Sequence, residues 1–449
     1  MTERHDGDTG VSTARYGALL AAVVAAVVAV STGIYLVAAG SPDRTQDNAL
    51  AGPRNPHNSA APASAGTWVG SWSASPTGAE PGTEPRGYAG STVRNVVHSS
   101  VGGTGARITL SNLYGQSPLT ISHASVAVAT GHNNPSAQPG TLRSLTFDGA
   151  TSVVIAAGQQ VMSDAVRLRV PHDADLLVSS YSPTPSGPVT YHLHARQISY
   201  LAQGDRTTDT TGGAYSERSS YWRYVTALDV LSNESEGTVV VIGDSLTDGI
   251  TSTMGADRRW TDLLAQRMRE ESGAPRYGVV NQGISGNQIL TDGPGRPPGN
   301  PSGLSRFRRD VLDRTGVRTV VVVLGINDIL RNPQADAGKI TGGLREMTRQ
   351  AHARGLRVVG ATLMPFAGHP GYSRYLEGVR QSVNGQLRGG KVFDAVIDFD
   401  RSLRDPYNPR KLRPDFDSGD HLHPSDRGFR RMADAVDLTS LKGATSAEL

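Results

Sequence analysis

Residues 238–248 read TVVVIGDSLTD. The unbroken β-branched run from Thr238 to Ile242 has the composition of a strand covered on both faces. Gly243, Asp244 and Ser245 then end it in a turn, as such residues commonly do. A serine on a sharp turn above a buried strand end is also where a nucleophile would stand. The segment alone does not choose between these readings, so the rest of the chain has to.

Downstream of residue 233, apolar runs alternate with amphipathic segments. YGVVN (277–281), RTVVVVLG (318–325), LRVVGATL (356–363) and FDAVIDF (393–399) read as further strands. Trp260, Leu263, Leu264 and Met268 recur at helical spacing, as do Ile340, Leu344, Met347 and Ala351, and another helix is expected from about Asp426. Uniformly apolar strands separated by helices predict a parallel sheet covered on both faces, an α/β domain over 233–443. In such sheets ligands bind beyond the carboxyl ends of the strands, where GDSLTD lies.

Upstream the pattern differs. Between 67 and 232, short β-rich runs such as RNVVHSSVGG, ARITLSNL and DLLVSSYSP are punctuated by Gly, Pro, Asn and Asp, which predicts an all-β sandwich-like domain. Residues 40–66 lack periodicity and read as a tether. Residues 16–39 carry no charge and are rich in Ala, Val and Leu. That length suits a transmembrane anchor, which needs about 20 apolar residues. Residues 1–15 would form a cytoplasmic tail. Cleavage near Val37-Ala38-Ala39 is the other reading of this segment, and both readings put the remainder outside the cytoplasm.

The 449 residues have a formal net charge of +3 and contain no cysteine. Disulfides, thiolate metal sites and a thiol nucleophile are excluded. No basic run with interleaved aromatics suggests a nucleic-acid partner. Membrane contact is expected only through the N-terminal segment, and the oligomeric state is not legible.

Four features fall at strand ends of the second domain: Gly243-Asp244-Ser245-Leu246, the 281–287 stretch NQGISGN, Gly325-Ile326-Asn327-Asp328, and Asp420-His421-Leu422-His423. A serine hydroxyl needs a base, and the base needs an orienting acceptor. His423 suits the base, and Asp420, three residues earlier on the same loop, suits the acceptor. An acyl intermediate also needs preorganised donors for its oxyanion. The Ser245 N–H, the Gly286 N–H and the Asn327 amide are the candidates.

Rival assignments exist. His421 is a second possible base, but Ser418 occupies the position where an acid would orient it. Gly283 could replace Gly286 as oxyanion donor. Asp244 reads as turn support. His192 and His194 would share one face of a strand, yet no further ligand for a metal is evident, and none is assigned. Trp68 and Trp72 read as packing residues, and so does Trp260, which follows Arg259 and precedes Asp262.

The constellation resembles the GDSL, or SGNH, hydrolase superfamily. Its four marker residues carry over as Ser245, Gly286, Asn327 and His423, with Asp420 completing the triad. The strings GDSLTDG, NQGISGN, LGINDI and SGDHLHPSD, behind a β-domain opening WVGSWSASP, look closest to exported bacterial arylesterase- or acylhydrolase-like members. The resemblance implies a three-layer α/β/α catalytic domain and metal-free ester hydrolysis, with no cofactor. The expected function is therefore an extracytoplasmic serine esterase acting on short-chain acyl or aryl esters. A carbohydrate O-deacetylase or O-acyltransferase on the same triad, acting on an acylated sugar, is the nearest alternative. A non-catalytic cell-surface binding protein is the distant one.

Overall fold

The computed structural model describes residues 66–443. The expected anchor at 16–39 and nearly all of the tether lie outside these residues. Among the described residues, no helix is long and apolar enough to cross a membrane.

Five parallel strands form the sheet of the C-terminal region, in the spatial order Tyr277–Gly283, Gly237–Gly243, Val317–Val323, Arg357–Ala361, Ala395–Ile397. The side chains alternate between its faces, as a period of two requires. Val240, Ile242, Val320 and Val322 pack with Ile340, Leu344, Met347 and Val383, from the helices Ala337–His352 and Arg374–Arg388. Val239, Val241, Val321 and Val359 pack on the other face with Leu264, Phe429 and Met432, from Trp260–Glu270 and Asp426–Asp434. The result is three layers, α/β/α. Because the first strand lies between the second and the third, its carboxyl end is the topological switch point, where a crevice opens. Ser245 lies there.

The region from Thr67 to Ser232 holds two larger antiparallel sheets. One has five strands, running Thr67–Ser73, Val225–Ser232, Gly103–Ser111, Val166–Val170, with Gln160–Met162 also paired to Gly103–Ser111. The other has six and is centred on Ser91–Ser99 and Ala174–Ser182. Alternate residues from both, including Val93, Val97, Ile108, Leu110, Leu176, Val178 and Val230, enclose one apolar core, which makes the region a sandwich. A small third sheet contains Thr190–His192.

The edge strand Thr67–Ser73 lies against the parallel sheet. The Gly70 N–H donates to Thr238 Oγ1 (2.9 Å). A Cβ at Gly278 would run into the Gly70 carbonyl, so glycine is what allows this approach. The sandwich therefore abuts the strand that ends at the nucleophile turn.

Candidate active site

Ser245 opens a one-turn helix, Ser245–Asp248, immediately beyond the strand Gly237–Gly243. Asp244 caps it, its carboxylate accepting from the Leu246 N–H (3.0 Å). Burial pushes the Asp244 carboxyl up to about 7, and the Asp328 charge adds to this against the Leu246 hydrogen bond. Turn and neighbouring strand pack so closely that a Cβ at Gly283 would run into the Asp248 backbone nitrogen.

The His423 ring reaches this serine from a loop 178 residues further along the chain, with Nε2 2.8 Å from Ser245 Oγ. The other ring nitrogen, Nδ1, lies 2.6 Å from Asp420 Oδ2. Asp420 Oδ1 accepts from the backbone N–H groups of Leu422 (2.9 Å) and His423 (2.8 Å), so a tight loop aims the carboxylate. Partial burial would raise the Asp420 carboxyl, but the hydrogen bonds from His423 and Leu422 hold it down, to about 2. It is ionised at neutral pH and faces the ring nitrogen it would orient.

The loops of the oxyanion candidates are tied to the nucleophile strand and to one another. Gly286 has φ +74°, a conformation that favours glycine. Ile284, two residues earlier, donates to the Gly243 carbonyl (3.1 Å), tying this loop to the nucleophile strand. Asn327, on the helix Ile326–Leu330, donates from Nδ2 to the Asn287 carbonyl (3.1 Å), which leaves its second amide hydrogen for a ligand. Among the described residues, the Ser245 and Gly286 N–H groups have no hydrogen-bond acceptor. The Gly283 N–H is occupied by Asn281 Oδ1 (2.8 Å), which removes the rival donor. His421, the rival base, pairs through Nδ1 with Asp417 Oδ2 (2.7 Å), an acid four positions back, and makes no bond to Ser245.

Three positioning residues carried no local sequence signal for this role. Asp248, 2% exposed, accepts from the Ser285 N–H (2.9 Å) and hydroxyl (2.5 Å), and so anchors the residue before Gly286. His192, from the small sheet of the sandwich, places Nε2 2.9 Å from Asp248 Oδ1, while its Nδ1 lies 2.7 Å from the Ser75 carbonyl. Burial would raise the Asp248 carboxyl, yet the charge and hydrogen bond of His192 and the Ser285 hydroxyl hold it below its ordinary value. The sandwich thus braces the 284–286 loop through a His192–Asp248–Ser285 line whose first two members are buried. His194 lies beyond the end of the strand Thr190–His192, so the two histidines do not share a strand face as expected. Arg306, fully buried, donates to the carbonyls of Gly243 (3.0 Å) and Gln282 (2.7 Å) and to Asn287 Oδ1 (3.1 Å). It cross-links the ends of the first two strands beneath the site.

Trp72 and Trp222 meet edge to face in the sandwich core, with centroids 4.8 Å apart. The Arg107 guanidinium lies over the Trp68 ring. Trp260 is buried against Phe399, and Asp262 accepts from the Arg259 N–H (3.0 Å) at the start of that helix.

No curated protein sequence matches the chain. Among solved structures, it is similar to an aryl esterase from M. smegmatis at 18% identity, covering 46% of this chain and 100% of that one (TM-score 0.36). It is also similar to Est24, a carbohydrate acetylesterase from Sinorhizobium meliloti, at 18% identity, covering 44% and 95% (TM-score 0.34). A GDSL-like lipase from Bacteroides thetaiotaomicron gives 19% identity, covering 46% and 88% (TM-score 0.34). Residues 241–431 match the sequence model of the GDSL-like lipase/acylhydrolase family, a span that holds the serine, glycine, asparagine, histidine and aspartate described above. This chain therefore carries a GDSL-like lipase/acylhydrolase domain.

Proposed function

We propose that this protein is a serine esterase that cleaves carboxylic esters of short-chain acyl groups or aryl alcohols, and that it works outside the cytoplasm. The observation that carries the reading is the unbroken line from Ser245 Oγ through the His423 ring to Asp420 (2.8 and 2.6 Å). The uncharged stretch from Tyr16 to Ala39 supports the location.

In the first half-reaction, Ser245 Oγ attacks the ester carbonyl carbon while His423 Nε2 takes the hydroxyl proton. The Ser245 N–H, the Gly286 N–H and Asn327 Nδ2 hold the resulting oxyanion. The tetrahedral intermediate collapses, and His423 returns the proton to the departing alcohol oxygen. In the second half, His423 takes a proton from water as its oxygen attacks the acyl-enzyme carbonyl, then gives that proton to Ser245 Oγ as the acyl–Oγ bond breaks, freeing the carboxylic acid and restoring the serine. Asp420 fixes the imidazole tautomer throughout. The scheme calls on no cofactor.

The test is hydrolysis of p-nitrophenyl esters from acetate to palmitate by the wild-type chain and by S245A. Activity confined to the wild type, with an optimum at short chains, is the expected result. Equal rates in both proteins would overturn the assignment of Ser245. A long-chain optimum would replace the esterase reading with a lipase reading. Acyl transfer to an added sugar or alcohol at the expense of hydrolysis would move the protein to the transferase class.

A further inference from the structure

Away from the serine, four side chains from distant points in the sequence meet at one place. His98 lies on the strand Ser91–Ser99 and Asp175 on its partner strand Ala174–Ser182. His132 follows the strand His123–Val128, and Asp257 comes from the loop after the nucleophile helix. One ligand atom from each lies within 4.8 Å of all the others. We propose that these residues form a structural site for a divalent transition-metal ion of the zinc type, which ties the catalytic domain's 249–257 loop to the sandwich.

Three observations carry this. The first is spacing. Zinc held by nitrogen and oxygen at about 2.0–2.2 Å places neighbouring donors of a tetrahedron roughly 3.3–3.6 Å apart. Asp257 Oδ2 lies 3.3 Å from His98 Nδ1 and 3.4 Å from His132 Nδ1, and His132 Nδ1 lies 3.3 Å from Asp175 Oδ2.

The second is the state of the oxygens. The Asp175 side chain is 2% exposed and that of Asp257 9%. Asp175 Oδ2 and Asp257 Oδ2 are nevertheless buried without a hydrogen bond, although His132 Nδ1 is close to both. A cluster held only by ion pairs would use such oxygens as acceptors. Oxygens and a ring nitrogen that crowd together without hydrogen-bonding are what a common ligand would organise.

The third is the surrounding support. The far nitrogen of His98, Nε2, lies 3.1 Å from Asp173 Oδ1, which the Arg269 guanidinium meets at 3.2 Å. Metal-bound histidines regularly give their other N–H to a carboxylate in this way, which sets the ring orientation. On loading, the ion takes the place of the ring proton between His98 Nδ1 and Asp175 Oδ1 (2.9 Å). His132 is exposed and gives the ion a route in from solvent.

The loop held at Asp257 also braces the segment that carries the proposed base. Thr251 Oγ1 donates to the carbonyl of Pro424, next to His423 (2.6 Å). Thr253 donates from its N–H (3.0 Å) and hydroxyl (2.6 Å) to Asp426. The ion would act on the reaction through this loop and not by touching substrate.

The experiment uses the full chain, with zinc as the probe. Protein loaded with zinc and dialysed against metal-free buffer should retain about one ion per chain, the stoichiometry of a closed four-ligand site. A chelator should remove it and lower the Tm, and zinc should restore both. H132A, a change at an exposed side chain, and D257N should each lose the retained zinc and the zinc-dependent Tm shift. S245A should keep both, which separates this site from the esterase reading. D173N should weaken zinc affinity about 10–100-fold. Zinc retained equally by the wild type, H132A and D257N would overturn the proposal. So would a wild-type chain that retains none and whose Tm responds to neither zinc nor chelator.

Discussion

The two ends of the Ser245–His423 hydrogen bond are built in different ways. The serine end is dry: Ser245, Asp244 and Asp248 are all buried, and so is Arg306 beneath them. Its polar groups are fixed by partners from three strand ends and from the sandwich. The histidine end is wet: Asp420 stands 44% exposed, and its carboxylate is set by the backbone of its own short loop. Nucleophile and oxyanion donors must be preorganised where water does not compete with their dipoles. A base that exchanges protons with leaving group and water works from the rim. Changes at the dry end should therefore cost stability and activity together, whereas changes at the rim should cost activity alone.

The largest expected effect joins both ends. S245A removes the nucleophile and should lower kcat by about 10⁶-fold, as triad nucleophile deletions do. D420N breaks the rim and should lower kcat by roughly 10³–10⁴-fold through the wrong imidazole tautomer. Thermal unfolding should be nearly unchanged, and H421A, which disrupts a neighbouring His–Asp pair, should retain activity. D248N tests the dry end. Leaving a buried partner uncompensated costs about 3–5 kcal/mol, so its Tm should fall and its activity with it. If D248N unfolded like the wild type, the contrast between the ends would be broken. N327A removes one oxyanion donor and should lower kcat by about 10²–10³-fold while KM changes little.

A further effect is in pH dependence. Asp244 has an ordinary value of 3.8 and is raised to about 7 in the fold. Between those values the folded chain holds a proton that the unfolded chain has released. The contribution of Asp244 to stability therefore falls as pH rises from about 4 to about 7. D244N keeps a capping oxygen but cannot ionise, so its stability should fall less steeply over that window. Urea unfolding of both proteins across the window measures the difference, and parallel profiles would contradict it.

The contrast also marks what was legible in the sequence. The strand Gly237–Gly243 announced itself through its β-branched run, because a strand covered on both faces must be apolar throughout. Asp420 and His423 could be paired on paper because one short loop carries both. The long-range supports gave no such signal. Asp248 meets His192 across 56 residues, and Arg306 reaches Gly243 across 63. Each is a charged or polar residue in an unremarkable local pattern; the Asp248 contact arises only when the sandwich docks on the parallel sheet, and the Arg306 contacts only when the two strand ends come together. Judging His421 by the residue three places before it missed Asp417, because the loop curls to bring the fourth residue back. The cluster at His98, His132, Asp175 and Asp257 escaped for the same reason: no two of its members share a local motif.

The proposed esterase reaction requires Ser245 to form the covalent bond. The most direct measurement is intact-mass and peptide-mapping analysis of the full chain after treatment with a p-nitrophenyl organophosphonate, beside S245A. The expected result is a single adduct on Ser245 in the wild type, loss of esterase activity in proportion to labelling, and no adduct in S245A. Labelling of another residue, or equal labelling of both proteins, would contradict it.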